Sequence, residues 1–208
     1  MSKNVFIMGD SYSTYEGYIP KGYHAYYSDT RKEKPIVNGV QKTWWHILAR
    51  ENDLNVVIND SFSGSSLCNT VRETLSLDSS FINRIDKYIA ENFFAENKID
   101  IAFIFGGTND SWIKAPFGTL KYADFTEEDL KCVLPAFCYL LSRAKEVVPN
   151  VIAIINTKLK PEITDGFIEA CEKMEIAYVM LQDIDKDDGH PTELGMKQIS
   201  EQVAAYIK

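Results

Sequence analysis

Four short blocks of the sequence carry a hydroxyl, a bare glycine, an amide and an imidazole in an order that suits acyl transfer. "GDSYST" at 9–14 contains Ser11, "NDSFSG" at 59–64 ends on Gly64, "GGTND" at 106–110 contains Asn109, and "DDGHP" at 187–191 contains His190. Acyl transfer needs a hydroxyl nucleophile, a base to take its proton, and N–H donors facing the oxyanion that forms. Ser11 can be the nucleophile and His190 the base. The N–H groups of Ser11 and Gly64 and the Asn109 amide can be the donors. Each block alone is ordinary, because Gly, Asp, Asn and Ser are all favoured in turns. A single histidine reads first as a loop or helix-capping residue.

Joint placement changes that reading, and the elements between the blocks decide it. Five apolar runs recur, at 4–9, 55–60, 100–107, 151–156 and 176–181, each nearly continuous rather than alternating. Continuous runs of this length mark strands buried on both faces. Helical periodicity separates them at about 41–52, 79–96, 126–148, 161–174 and 192–207. Strands alternating with helices imply right-handed crossovers and a parallel sheet covered on both sides. The expectation is one α/β domain over residues 1–208, in three layers. Ser11, Gly64 and Asn109 follow the first, second and third strands and His190 follows the fifth, so all four sit at the carboxyl edge. Ligands bind beyond that edge in open α/β sheets. Two connections, 10–40 and 107–125, are long enough to read as functional loops, and their stretches 12–40 and 111–125 are expected to meet over Ser11.

Composition narrows the partners. The chain has 208 residues, 45% hydrophobic and 25% charged, and a formal net charge of −8. That charge argues against nucleic acid or an anionic membrane as the main partner. No apolar run approaches the ~20 residues of a membrane span. Cys68, Cys132, Cys138 and Cys171 show no metal-binding spacing and read as free thiols of a reducing cytoplasm. A first strand at 4–9 leaves no room for a signal peptide, so the expected location is the cytoplasm. No metal is expected, and nothing sets the oligomeric state.

Taken together and in order, the four blocks resemble the SGNH hydrolases, also called the GDSL esterase/lipase family. The likeness rests on "GDS" at Ser11, N-x-x-x-S-G from Asn59 to Gly64, "GGTND" at Asn109, and D-x-x-H-P from Asp187 through His190 to Pro191. It implies a flavodoxin-like α/β/α sandwich on a five-stranded parallel sheet, no cofactor, and ester or thioester hydrolysis through a serine acyl-enzyme. The family spacing selects Asp187 as the acid behind His190. Asp188, two residues before the histidine, would share its face in an extended segment and stands as the alternative. Two departures from the family pattern are Tyr12, where leucine is common, and "DDGH" in place of the commoner "DGxH".

The expected activity is therefore that of a serine carboxylic-ester hydrolase acting on small acyl esters, with an acetylated carbohydrate as one candidate. Alternatives are a lysophospholipase or thioesterase, and a non-catalytic sugar- or nucleotide-binding module. The module has no need of Ser, His and Asp together. Tyr12 and Trp112 are the candidate substrate-binding residues. Six tyrosines between 12 and 27 form either an aromatic wall or the loop's own small core. Trp44 and Trp45 anchor the first helix, and Asp10 and Asp110 hold their loops by bonding backbone.

Overall fold

Val, Ile, Phe and Met run almost unbroken through the five apolar segments, and each segment becomes a strand of one parallel sheet. The computed structural model describes residues 2–207. Its strands are β1 (Lys3–Gly9), β2 (Leu54–Ser61), β3 (Ile101–Phe105), β4 (Val151–Ile155) and β5 (Ala177–Met180). They are ordered β2-β1-β3-β4-β5, every neighbouring pair parallel. The helices are α1 (Trp44–Glu51), α2 (Phe81–Ala90), α3 (Phe93–Glu96), α4 (Thr108–Ile113), α5 (Val133–Val147), α6 (Pro161–Met174) and α7 (Glu193–Ala204).

Alternate strand residues feed two cores. Phe6 and Met8 pack with Ile82, Leu140 and Phe167 from α2, α5 and α6 on one face. Val5 and Ile7 pack with Trp44, Leu48 and Ile199 from α1 and α7 on the other. Each such buried side chain contributes about 1.5–3 kcal/mol relative to exposure. The architecture is the expected three-layer α/β/α sandwich.

The helices differ from expectation in three places. The span 79–96 is broken by Asn92, whose left-handed φ of 57° separates α2 from α3. Residues 129–131 form a 3-10 turn, so α5 starts only at Val133. Residues 108–113 form α4, inside what reads as a long loop, because Thr, Asn, Asp and Ser are weak helix formers. Pro161 opens α6, where its missing N–H costs nothing.

Strand register brings the active edge to one level. Gly9 pairs with Ser61 of β2 on one side and with Phe105 of β3 on the other. The chain runs from β1 outward to β2, then back across to β3, which creates the switch-point crevice beside β1. No helix among the described residues is long and apolar enough to cross a membrane. The four cysteines are free thiols.

Candidate active site

Ser11 sits in a turn clamped from below. Gly9, just before it, has no room for a side chain: a Cβ there would lie 2.6 Å from Ser61 Oγ and 2.7 Å from Ser13 Cβ. The Tyr12 N–H donates to Asp10 Oδ1 at 3.1 Å, and the Ser13 N–H donates to the Asp10 carbonyl at 3.1 Å. Ser13 is then tied to two other elements. Its carbonyl accepts from Asn59 Nδ2 at 2.8 Å and from Trp45 Nε1 at 2.9 Å, and its hydroxyl accepts from Trp44 Nε1 at 3.0 Å. Both tryptophans thus anchor α1, and Asp10 bonds backbone as expected. Burial pushes the Asp10 carboxyl up to about 7.

A buried cation joins the ends of β1 and β2. Arg84 of α2 is 1% exposed. Its Nη1 donates to Asp60 Oδ2 at 2.6 Å, and its Nη2 donates to the Gly9 carbonyl at 3.2 Å and to Ser65 Oγ at 3.3 Å. Its Nε donates to the Ser79 carbonyl at 3.0 Å. The ion pair with Asp60 thereby holds the turn containing Gly64, whose φ of +88° suits glycine. Sequence reading misses Arg84, although a signal exists. It lies three residues after Phe81 and four before Tyr88, on the buried stripe of its helix.

Asn109 stands in the first turn of α4. Its Nδ2 donates to the Ser65 carbonyl at 2.9 Å, and its Oδ1 accepts from Arg72 Nη2 at 3.1 Å. The neighbouring Asp110 carboxylate accepts from the Leu67 N–H at 3.0 and 2.9 Å and from the Cys68 N–H at 3.3 Å. Asp110 therefore holds the loop after β2, the structural part expected of it. Burial raises its pKa. The N–H groups of Ser11 and Gly64 have no intramolecular acceptor among the described residues.

His190 arrives on a hairpin. Strands β6 (Lys186–Asp187) and β7 (His190–Pro191) pair antiparallel, with Asp187 opposite His190. Asp188 and Gly189 between them have φ of 46° and 77°, the positive values that a type I′ turn demands. Tyr12 Oη donates to the Gly189 carbonyl. Lys186 Nζ donates to Asn156 Oδ1 at 2.9 Å and to Thr157 Oγ1 at 2.6 Å, pinning the hairpin to the end of β4.

The imidazole then meets the hydroxyl. Ser11 Oγ lies 3.0 Å from His190 Nε2, and His190 Nδ1 lies 3.2 Å from the main-chain carbonyl of Asp188. A carbonyl only accepts, so the neutral ring carries its proton on Nδ1 and turns the Nε2 lone pair to Ser11. The expected carboxylate bond from Asp187 is not formed. The hairpin register sets that residue beside His190, with its side chain exposed. Asp188 contributes through its carbonyl. Burial lowers the His190 pKa to about 4, against the opposing effect of the Asp188 carbonyl, and nearby Arg31 and Lys186 lower it further.

Aromatic rings surround His190, which is 8% exposed. Tyr26 stacks on it at 3.6 Å and 9°, and Trp112 meets it edge-on at 5.5 Å. Trp112 is 44% exposed and leaves a free face. Tyr12 is 1% exposed, packs on Phe105 and spends its hydroxyl on Gly189. It supports the His190 hairpin from beneath rather than lining an open wall, which corrects its expected part in substrate binding. Tyr15 and Tyr27 are likewise buried, so much of the tyrosine-rich loop is its own core. The two long loops flank His190 through Tyr26 and Trp112. Past Trp112 the second loop turns away, its Pro116 and Phe117 carbonyls accepting from Val133 and Leu134.

The chain is similar over its whole length to known proteins. The family model described as GDSL-like lipase/acylhydrolase matches residues 3–207. A structure assigned as a GDSL-like lipase from Bacteroides ovatus is 38% identical, with a TM-score of 0.91 over 100% of this chain and 98% of that one. Another so assigned, from Bacteroides uniformis, is 38% identical, with a TM-score of 0.90 over 99% and 95%. An aryl esterase from M. smegmatis shares the fold at 15% identity, with a TM-score of 0.63 over 99% and 98%. No curated protein matches the sequence.

Proposed function

This chain belongs to the GDSL-like lipase/acylhydrolase family, and on that premise we propose that it is a serine ester hydrolase working through an acyl-enzyme on Ser11. The observation that carries the proposal is the 3.0 Å approach of Ser11 Oγ to a histidine nitrogen left unprotonated by the Asp188 carbonyl. His190 Nε2 takes the hydroxyl proton as Oγ attacks the ester carbon. The N–H groups of Ser11 and Gly64 and Asn109 Nδ2 hold the resulting oxyanion. His190 then gives its proton to the leaving alcohol; it next takes one from water as that water attacks the acyl carbon, and returns it to Ser11 Oγ as the Oγ–carbon bond breaks and the acid leaves.

The surroundings support a small acyl group. The rings beside His190 are aromatic, and no aliphatic groove of the kind a long acyl chain needs is built from Tyr26 and Trp112. The open face of Trp112 suits stacking of an alcohol part that is a ring, such as an acetylated sugar. The purified protein is to be assayed on p-nitrophenyl acetate, p-nitrophenyl dodecanoate and acetylated sugars, with fluorophosphonate labelling of the nucleophile. Acetate should be hydrolysed faster than dodecanoate, and the label should sit on Ser11. A label on another residue would overturn the assignment.

A further inference from the structure

Asn109 is gripped at both ends of its amide, and one grip is a cation. Arg72 Nη2 donates to Oδ1 at 3.1 Å while Nδ2 donates to the Ser65 carbonyl at 2.9 Å. A guanidinium can only donate and a carbonyl can only accept, so just one of the two amide orientations satisfies both partners. The flipped amide would set donor against donor and acceptor against acceptor. Of the two Nδ2 hydrogens one goes to Ser65, and the second has no acceptor among the described residues. Ser65 is itself held, its N–H donating to Phe62 at 3.2 Å and its hydroxyl accepting from Arg84 at 3.3 Å. Arg72 also covers Gly64: a Cβ on that glycine would lie 3.7 Å from Arg72 Cδ and 3.9 Å from Nε. One side chain thus bonds one of the three groups assigned to the oxyanion and lies beside the residue that carries a second.

Arg72 has no carboxylate partner among the described residues, in a chain of net charge −8. Its charge therefore falls on the amide. A cation bonded to Oδ1 draws electron density from the amide nitrogen and makes its remaining N–H a stronger donor, the usual cooperativity of linked hydrogen bonds. We propose that Arg72 is a positioning residue that locks the Asn109 amide in its donating orientation and polarises it toward the oxyanion. The proposal rests on the acyl-transfer reading of Ser11 and His190.

Two measurements on the whole protein test it, and one needs no activity. In a 15N-labelled sample the Asn109 side-chain NH2 pair is identified by its loss in Asn109→Ala. Arg72→Ala should shift that pair and speed its exchange with water, and Arg72→Lys should leave it nearer the wild-type position. In the ester assay Arg72→Ala should lower kcat about 10–10²-fold with KM changed less than about twofold, below the ~10²–10³-fold of losing the donor itself. In an Asn109→Ala background the same change should cost less than about twofold more, because nothing is left to orient. An NH2 pair unmoved by Arg72→Ala overturns the proposal whatever the protein hydrolyses. So do equal fold losses in the two backgrounds, which would make Arg72 a direct ligand of an anionic substrate or a purely structural residue. Failure to hydrolyse any ester would instead remove the acyl-transfer reading, while the amide signal still decides what holds Asn109.

Discussion

Around Ser11 and Asn109 buried charge fixes the backbone, whereas at His190 a two-residue turn and stacked rings fix the base. On the first side Arg84, Asp60 and Asp110 are all buried; Arg84 and Asp110 bond main-chain atoms of the loops they join, and Asp60 is the carboxylate partner of Arg84. On the second side the turn residues Asp188 and Gly189 are exposed, and the ring is held by Tyr26, Tyr12 and one carbonyl. On the proposed acyl transfer, the difference follows from what each half must do. Oxyanion donors must stay still, so a network whose disruption is expensive suits them. The base must swing its proton between two oxygens, and aromatic packing confines a ring without binding its nitrogens.

The largest expected effect lies where the halves meet. Ser11→Ala should lower kcat on the order of 10⁴–10⁶-fold and abolish fluorophosphonate labelling, with an unchanged circular dichroism spectrum. Residual turnover within tenfold of wild type would break the pairing of Ser11 with His190. Next comes the charged half alone. Arg84→Ala leaves Asp60 buried without its partner and should cost about 3–5 kcal/mol of stability by denaturant unfolding. A loss under about 1 kcal/mol would mean that Arg84 is not what joins β1 to β2. Asn109→Ala should lower kcat ~10²–10³-fold with a smaller change in KM.

These two halves were not equally legible in the sequence. The five strands and their common edge could be read because parallel strands buried on both faces leave continuous apolar runs. Ser11, Gly64 and Asn109 could be placed because each follows a strand that ends on that edge. What joins them is harder to read: Arg84 shows only as a charge set on the apolar stripe of its helix, with nothing to name its partners, and Arg72 lies in an irregular stretch with no periodicity to place it. At His190 the information was present in a different form. Asp188-Gly189 is a strong hairpin signal, and a hairpin sets Asp187 across from the histidine rather than beneath it. Spacing by family pattern points to the side chain of Asp187, whereas turn chemistry points to the carbonyl of Asp188.

Burial of the base gives the comparison a pH signature. The His190 pKa is lowered to about 4, first by burial, so the ring stays neutral and able to act well below the ordinary histidine range. The acid limb of kcat/KM should fall near pH 4 rather than near 6.5. Tyr26→Ala opens one face of the ring to water and should move that limb upward. Stability falls in the same direction but starts to do so at higher pH. The unfolded chain takes a proton at about 6.5 while the native ring refuses it until about 4, so stability should decline as pH falls through that interval. An acid limb near 6.5 in the wild type would mean that the ring is solvated.

The smallest expected effect is the sharpest test of how the base is held. Asp187→Asn should be nearly silent, because that side chain is exposed and makes no bond to His190 among the described residues. Asp188→Asn removes a charge near the ring but leaves the carbonyl that fixes the tautomer, so turnover should fall less than about fivefold, the scale of an exposed charge. A carboxylate on Nδ1 behaves differently, since converting it to an amide costs on the order of 10⁴-fold by presenting the wrong partner to the ring. A main-chain acceptor cannot be converted by side-chain substitution at all. It fixes the tautomer with a partial charge only, which agrees with an imidazole that resists protonation. Steady-state kcat for the two asparagine variants on p-nitrophenyl acetate separates the cases. A loss approaching 10⁴-fold in Asp187→Asn would restore the carboxylate and reassign the 3.2 Å carbonyl contact to packing.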